Sequence, residues 1–205
     1  MPITLNGSGT VSGISAGGLP DGIIQSADLA TGVGGKILQV AQSQKVDASS
    51  VTGTTFTKIP GTDQSGSGSV FCVKITPSSS SNKILVSSQI AFATSIISYG
   101  RLVRTVGGSD TVINVGTDRG NGQTSFFVRS SATDHFYGSL PMNVEFLDTP
   151  NTTSEVQYSI EVRNHASSGN CYIGRTHNET STYGWATPST PVSYTHLTLP
   201  TIYSV

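Results

Sequence analysis

Apolar and polar residues alternate along three long stretches of this 205-residue chain. In the first stretch, Ile84, Val86, Ser88, Ile90 and Phe92 share one face, because side chains of a strand alternate with a period of two. The same pattern recurs at Leu140, Met142, Val144 and Phe146, and again at Tyr158, Ile160 and Val162. The residues between them, Asn143, Glu145, Gln157, Ser159, Glu161 and Arg163, are expected on a water-facing side. One-sided strands of this kind are typical of antiparallel sheets.

Composition and turn residues extend this prediction to the rest of the chain. Charged residues make up 11% of the sequence, against about 25% in ordinary domains, and Gly, Ser and Thr are abundant. Further strands are expected at Lys36–Val40 and Val70–Ile75. Turn-forming residues separate the strands at Pro77–Asn82, Gly107–Asp110, Arg119–Gly122, Thr149–Thr152 and Ser167–Asn170. We therefore predict an all-β protein with about eight strands between residues 36 and 191, arranged as an antiparallel jelly-roll-like β-sandwich.

Residues 1–35 have a different character and are predicted to form an extended stem. Glycines are spread through this segment, and no window holds enough apolar residues to build a core of its own. Its apolar residues are nevertheless regularly spaced, at Ile3, Leu5, Val11, Ile14, Leu19, Ile23, Ile24 and Leu29. Only association with further copies of the chain would offset the entropy lost on ordering such a polar segment. We expect the stem to associate with copies of itself.

Residues 192–205 resemble the translation of a sequencing-library transposase adapter. Such an added segment is set aside before reasoning about the fold. The interpretation places the end of the natural head near Pro191, with its final strand truncated. It also predicts that the alternating residues Ser193–Leu199 occupy a vacant edge position, so that deletion of residues 192–205 would leave stability nearly unchanged.

Several segments of the chain resemble tail-fibre-like proteins that are common in marine phages. The resemblance covers residues 3–190, and its residues are common turn and strand types whose order and spacing are the specific part. They are Leu5–Ile14, Gly18–Gly22 and Gly35–Val40 at a stem-to-head junction, then Ile75–Val86, Arg101–Arg104, Phe146–Pro150 and Tyr183–Thr190 in the head. The resemblance implies a homotrimeric fibre, in which residues 1–35 are the trimerisation segment that forms a thin stem and three β-sandwich heads touch a host surface.

Charge and hydropathy narrow the set of partners. The formal net charge is −1, and there is no basic stripe of the kind that neutralises phosphates, so nucleic acid is not expected as a partner. The chain shows no secretory leader and no apolar run of the ~20 residues that cross a bilayer. We expect a protein made in the host cytoplasm and located in the virion. Cys72 and Cys171 both lie in apolar patterns and are predicted to be buried reduced thiols.

No motif in the sequence supports catalysis, a cofactor or a metal site. Gly13–Gly17 matches Gly-x-Ser-x-Gly, but a nucleophile elbow needs a buried strand before it and a helix after it. His165, Cys171 and His177 lack the paired spacing of structural zinc ligands. Arg101 and Arg104 are three residues apart and are expected on opposite faces of one strand, in a structural role at a subunit contact, with contact to a ligand as the alternative. The protein is predicted not to be an enzyme.

The densest polar-aromatic group of the head is the candidate ligand-binding site. It consists of Tyr172, His177, Asn178, Tyr183 and Trp185. Flat aromatic faces and amide groups on loops of a rigid sandwich suit a glycan. The alternative is that Tyr183 and Trp185 pack beneath the final strand of the sandwich.

These observations lead to one functional prediction and two alternatives. The first is a tail-fibre or receptor-binding protein that recognises a host-surface glycan or protein by multivalent binding and attaches to other virion proteins through its stem. The alternative is a structural virion protein of the neck, baseplate or capsid decoration. A depolymerase would need paired carboxylates in a groove, and the twelve acidic residues are scattered. A polar-aromatic end would favour the adhesin, and an apolar patch would favour docking.

Overall fold

The computed structural model describes residues 37–114 and 139–176, together with the backbone of the strands at 4–5, 11–12, 127–129 and 192–199. The chain divides into two units, Met1–Gly35 with Ile202–Val205, and Lys36–Thr201. In the first unit, strand β1 (Thr4–Leu5) pairs antiparallel with β2 (Val11–Ser12). The rest of the predicted stem lies outside the described residues, and its self-association stays a prediction.

The described residues of the second unit form strands and turns with no helix. The all-β class predicted from the sequence is confirmed. The strands are β3 (Val40–Lys45), β4 (Ser49–Thr52), β5 (Thr57–Lys58), β6 (Cys72–Ile75), β7 (Lys83–Thr94), β8 (Ser98–Val106), β9 (Ser109–Ile113), β10 (Phe127–Arg129), β11 (Leu140–Asp148), β12 (Val156–Asn164), β13 (Asn170–Ile173) and β14 (Val192–Leu199).

These strands make two antiparallel sheets that pack face to face. In the first sheet, β3, β14, β7 and β11 lie side by side, and β13 and β4 continue from the far half of β7. In the second sheet, β12 lies between β8 and the short strands β5 and β6, while β9 and β10 pair with the other edge of β8. The order β3-β14-β7-β11 in the first sheet and β6-β12-β8-β9 in the second is that of a jelly roll, in which two Greek keys are shared between the sheets.

The core lies between the sheets and consists of the residues that the alternation predicts. Ile84, Val86, Ile90 and Phe92 of β7 are each 0% exposed. Met142 and Val144 of β11 lie beside them on the inner face of the same sheet. Tyr158, Ile160 and Val162 of β12 face them from the second sheet. Burial of these side chains is the largest favourable contribution to folding.

One part of the predicted water-facing pattern is wrong. Ser159 is 0% exposed and Glu161 is 7% exposed, although both point away from the core. Glu161 is covered because Arg101 of β8, its register partner, bonds to it and lies against Phe56. Ser159 sits in register between Cys72 and Val103, both of which are buried.

The first strand of the head begins later than the sequence predicts. Strand pairing starts at Val40, whereas the prediction was Lys36–Val40. Ser43 and Lys45 point inward and are buried, whereas Ile37 and Leu38 are 50% and 42% exposed. The prediction placed the strand on Lys36–Val40, which is rich in apolar residues, whereas the strand lies in the more polar stretch from Val40 to Lys45.

Strand β14 corrects the prediction made for residues 193–199. These residues do form a strand, but it is an inner strand and not an edge strand. It pairs with β3 on one side, from Val192 opposite Lys45 to Leu197 opposite Val40, and with β7 on the other, from Ser193 opposite Gln89 to Leu199 opposite Lys83. Both backbone edges of this segment are therefore used, and its deletion should not be neutral.

The strand registers define two ends of the sandwich. The proximal end holds Val40, Lys83, Asp148 and Val106, and the distal end holds Thr94, Ser98 and Asn164. At the proximal end Arg104 Nη1 donates to both carboxylate oxygens of Asp148, at 2.9 and 3.1 Å, and Tyr158 donates to Oδ2 at 2.6 Å. These three residues link the two sheets, because Asp148 lies on β11 whereas Arg104 and Tyr158 lie in the second sheet.

Candidate functional site

The outer face of the second sheet carries two rows of charged and aromatic side chains near the distal end. Strands β8 and β12 pair so that Arg101 lies opposite Glu161 and Tyr99 lies opposite Arg163. Side chains that are directly opposite in an antiparallel pair point to the same face and lie close together. Phe56, in the loop between β4 and β5, lies against both rows.

In the first row the guanidinium of Arg101 is neutralised by a carboxylate. Its Nε and Nη2 atoms each lie 2.6 Å from Oε2 of Glu161. The same guanidinium carbon lies 4.0 Å from the centre of the Phe56 ring. A cation on an aromatic face gains electrostatic energy from the ring quadrupole. Every strong interaction of Arg101 is thus supplied by the chain itself.

In the second row the guanidinium of Arg163 is held by two rings without a carboxylate. Its carbon lies 4.8 Å from the centre of the Tyr99 ring and 5.1 Å from that of Phe56. Nη1 donates to the carbonyl oxygen of Thr54 at 3.2 Å. Nε is buried, and no described residue accepts its hydrogen bond. No ion pair of Arg163 occurs within residues 37–114 and 139–176.

A buried polar network fixes the strands beneath these rows. Asn164 is 0% exposed. Its Oδ1 accepts from the Ser98 hydroxyl at 3.0 Å and from the Cys171 thiol at 3.2 Å. Its Nδ2 donates to the carbonyl oxygens of Val51 and Gly53, at 3.2 and 3.3 Å. A fully bonded buried network of this kind rigidifies its surroundings, and here it links strands of both sheets directly below Arg163.

The turn after β12 places His165 beside the second row. The His165 amide donates to Ile97 O at 2.8 Å, and its Nδ1 lies 3.4 Å from the Tyr99 hydroxyl. A Cβ atom at Gly169 would lie 2.2 Å from Cδ1 of Ile96, so the absence of a side chain at Gly169 lets this turn pack closely against the turn between β7 and β8. The exposed imidazole lies at the rim of the second row, beside the Tyr99 hydroxyl. We call Phe56, Tyr99, Arg163 and His165 the distal platform.

A second polar feature lies between β3 and the loop that follows Ile59. It is an open groove of about 430 Å³, lined by Gln42, Gln44, Thr62, Asp63 and Gln64 among others. The Asp63 carboxylate is already satisfied by Ser65 and Ser67 and by Lys74 Nζ at 2.9 Å. Hydrogen bonding from the Ser65 hydroxyl, then from Lys74, lowers the pKa of this carboxyl group. Asp63 therefore shapes the loop.

Of the five site residues predicted from the sequence, only Tyr172 lies in the described part of the chain. It occupies the outer face of β13, and the guanidinium carbon of Arg175 lies 4.5 Å from its ring centre. His177, Asn178, Tyr183 and Trp185 lie outside the described residues, so their grouping stays a prediction.

Sequence reasoning missed the distal platform. Alternation does place Tyr99 and Arg101 on one face of a strand, and Arg163 on the outer face of another. The register that sets Tyr99 opposite Arg163 depends on the pairing of β8 with β12, in which these two residues lie 64 positions apart along the chain. The predicted opposite orientation of Arg101 and Arg104 is confirmed, since Arg104 points to Asp148 between the sheets.

The proximal end carries an apolar row on the outer face of the first sheet. Val40, Leu197, Leu85 and Leu147 are aligned in register across β3, β14, β7 and β11. Val40 is 56% exposed and Leu147 is 45% exposed, and Ile37 and Leu38 precede the row. The next outward positions of β3, β7 and β11 are polar, at Gln42, Ser87 and Glu145. We call Val40, Leu85 and Leu147 the proximal row.

The two cysteines of the described residues belong to the buried structure of the sandwich. Cys72 and Cys171 are buried free thiols, as predicted, and burial raises the pKa of each to about 11. Within the described residues, no three His, Cys, Asp or Glu side chains gather as metal ligands would. The same residues include no helix long and apolar enough to span a membrane.

Comparisons with known proteins give similarity at the level of fold alone. No protein-family model and no curated protein matches the sequence. Among solved structures, the VP2 subviral particle of infectious bursal disease virus matches with a TM-score of 0.33 and 12% identity over 78% of this chain. The structure of the Gx strain of that virus matches with a TM-score of 0.24 and 15% identity over 77% of this chain. The chain spans about two fifths of the length of these proteins. Such a likeness carries no argument about function, which must be sought in the residues of the chain itself.

Proposed function

We propose that this protein is a structural component of a virion, in which the jelly roll packs against neighbouring subunits through the proximal row. The observation that supports the proposal best is the exposure of Val40 and Leu147 in one register, with Ile37 and Leu38 beside them. Monomeric proteins rarely leave a contiguous apolar surface exposed unless a partner covers it. Jelly-roll sandwiches also serve as viral capsid and lectin domains.

The kind of groups that the sandwich presents supports the proposal of a virion component. Its buried charged groups pair with one another, as in Arg104 with Asp148, and its thiols are held protonated by burial. The groove beside β3 is lined by amides and hydroxyls, and its one carboxylate is bonded to Ser65, Ser67 and Lys74. Assembly requires an exposed surface that another subunit can cover, and the exposed Val40 and Leu147 of the proximal row are such a surface.

Association of the full chain tests this proposal. Light scattering should give a mass above that of one chain, and the double variant Val40→Glu with Leu147→Glu should weaken the association, because two charges would be buried in the contact. Val46→Glu is the matched control, since Val46 is 67% exposed and lies at the distal side, just past Lys45. A single-chain mass for the wild type, or equal association for both variants, would contradict the proposal.

A second candidate is the receptor-binding function, as a homotrimer carried on the predicted stem. The distal platform supports it, because aromatic and polar side chains gather at the end opposite the proximal row. Loops at one end of a rigid sandwich are common binding sites, and three weak sites on a trimer would bind a cell surface by avidity.

Binding of the labelled full chain to a glycan array and to marine bacterial cells tests the second candidate. Tyr99→Ala should reduce binding, whereas Leu147→Glu should not. Uniform failure to bind, or equal binding by wild type and Tyr99→Ala, would remove the receptor-binding candidate and leave the structural one in place.

A further inference from the structure

We infer that the distal platform binds the carboxylate of an acidic sugar through Arg163. The inference rests on the receptor-binding candidate and adds the chemical class of its ligand. It starts from the contrast between two neighbouring arginines on the same face of the same sheet, both of them stacked on Phe56.

Arg101 and Arg163 differ in how their charge is compensated. Arg101 has Glu161 opposite it and bonds to that carboxylate at 2.6 Å. Arg163 has Tyr99 opposite it, and no carboxylate pairs with it within the described residues. Its environment is partly desolvated by two rings and by burial of Nε. A guanidinium in such a setting gains more from an anion than one in bulk water does.

The geometry favours a single planar anion. A guanidinium has five N–H donors in a fixed plane, and only one of those of Arg163 has a described acceptor, the Thr54 carbonyl oxygen. Two parallel donors match the two oxygens of a carboxylate. Phosphate chains and nucleic acids, by contrast, require several cations in a stripe, and the neighbouring Arg101 is already neutralised by Glu161.

The surroundings of Arg163 suit a sugar ring attached to that carboxylate. Thr54, Thr55, Ser167 and Ser168 are exposed around the platform, and hydroxyl groups can both donate to and accept from sugar hydroxyls. His165 and the Tyr99 hydroxyl, 3.4 Å apart, add a polar rim. The aromatic rings supply apolar area against the ring carbons of a sugar. A uronic acid or a sialic acid fits this combination, and a neutral sugar lacks the anion.

Titration of the full chain with matched oligosaccharides tests the inference. The acidic probes are tetramannuronate, a glucuronate oligosaccharide and sialyllactose, and the neutral probes are mannotetraose and lactose. Binding is followed by calorimetry and by the imidazole NMR signals of His165. At least one acidic probe should bind the wild type more tightly than its neutral counterpart, and Arg163→Gln should weaken it about tenfold. Lys83→Gln, with the same change of charge at the proximal end, should not weaken it.

Two further variants keep the result interpretable. Arg163→Lys retains the charge but loses the planar fork, so its affinity should fall between those of the wild type and Arg163→Gln. Arg175→Gln removes the guanidinium beside Tyr172 and should leave affinity unchanged. A loss confined to Arg175→Gln would move the site to Tyr172 and overturn the inference. A lower melting temperature of Arg163→Gln would identify misfolding of that variant. In that case a shift of the His165 imidazole signals of the wild type with an acidic probe, and none with its neutral counterpart, would decide for the carboxylate site.

The outcomes separate this inference from the function on which it rests. Failure of all acidic probes to bind, or equal binding of acidic and neutral probes, overturns the carboxylate site. If cells are bound through Tyr99 while no acidic probe binds, receptor binding stands and its proposed ligand class is wrong. If an acidic probe binds through Arg163 while cell binding is unaffected by Tyr99→Ala and Arg163→Gln, the site stands and the receptor-binding candidate is wrong.

Discussion

Individual residues link the two sheets where a buried polar group of one sheet bonds to a partner in the other. Asp148 is the clearest case, because its carboxylate accepts hydrogen bonds from Arg104 and Tyr158 and is 5% exposed. Burial, then the bond to Asp148, raises the pKa of the Tyr158 hydroxyl, so it remains a donor at any ordinary pH. The charge of Arg104 has no other carboxylate partner among the described residues.

Asp148→Asn should therefore be strongly destabilising. Breaking a buried ion pair leaves an uncompensated charge and costs about 3–5 kcal/mol, which corresponds to a fall of at least about 6 °C in melting temperature for a chain of this size. Asp110→Asn is the control, because the pair of Lys58 with Asp110 is exposed, and its loss should cost no more than about 1 kcal/mol. Equal thermal shifts for the two variants, measured by calorimetry, would refute the importance of the buried network.

Asp63 makes the stability of the protein depend on pH in the acid range. Hydrogen bonds from Ser65, and then the bond from Lys74, lower the pKa of Asp63 in the folded state. The stabilisation is therefore fully present above the unfolded pKa of about 3.9, and it is lost as the pH falls from there toward the lower folded pKa. Urea midpoints measured from pH 7 to pH 2.5 should show this loss. Ser65→Ala should reduce it, and an unchanged acid slope in Asp63→Asn would exclude Asp63 as its cause.

At the scale of elements, strand β14 contributes more than its place in the sequence suggests. It is hydrogen-bonded to β3 and to β7 over most of its length. Without it, two neighbouring strands would expose unpaired backbone groups, and each such edge is an aggregation hazard.

Deletion of residues 192–205 should accordingly lower stability by more than about 3 kcal/mol, or about 6–12 °C in melting temperature. Deletion of residues 202–205 alone removes chain that belongs to the other unit and should have little effect. Thermal unfolding of both deletion variants is the measurement. If the longer deletion were neutral, β14 would not hold the position between β3 and β7, and the adapter interpretation of this segment would gain support.

The strands in which apolar and polar residues strictly alternate could be predicted from the sequence. Features that depend on which strands pair, and in which register, could not. The apolar faces of β7, β11 and β12 could be predicted because burial on one side imposes a period of two, as Ile84, Met142 and Ile160 illustrate. The position of β14 could not, since an alternating segment fits an edge and an inner position equally well. The distal platform escaped prediction for the same reason, because the partner of Arg163 is set by register and not by local sequence.

On the scale of the whole molecule, the two sheets should unfold as one cooperative unit. Their facing side chains form a single core that includes Ile84, Phe92, Tyr158 and Ile160, and domains of this kind usually unfold in one step. The free thiols report on this, because Cys72 lies in the second sheet and Cys171 in the first.

Both thiols should resist alkylation by iodoacetamide at pH 8 in the native protein. Burial raises the pKa of each to about 11, so little reactive thiolate is present and the reagent has no access. In increasing urea, the two should become reactive together at the global transition. Mass spectrometry of the labelled peptides would detect earlier reaction of one cysteine, which would show that one sheet opens before the other.

The two sheets are linked at both the proximal and the distal end, and this affects how far the loops of the protein can vary in sequence. Asp148 and Asn164 lie on strands, and they join the sheets through other strand residues, apart from the bond of Asn164 to Gly53 in the turn after β4. Loops on the distal surface can therefore change in length and composition while the frame keeps its shape. A protein built in this way can acquire a new ligand by altering a few exposed side chains, at little risk to its ability to fold.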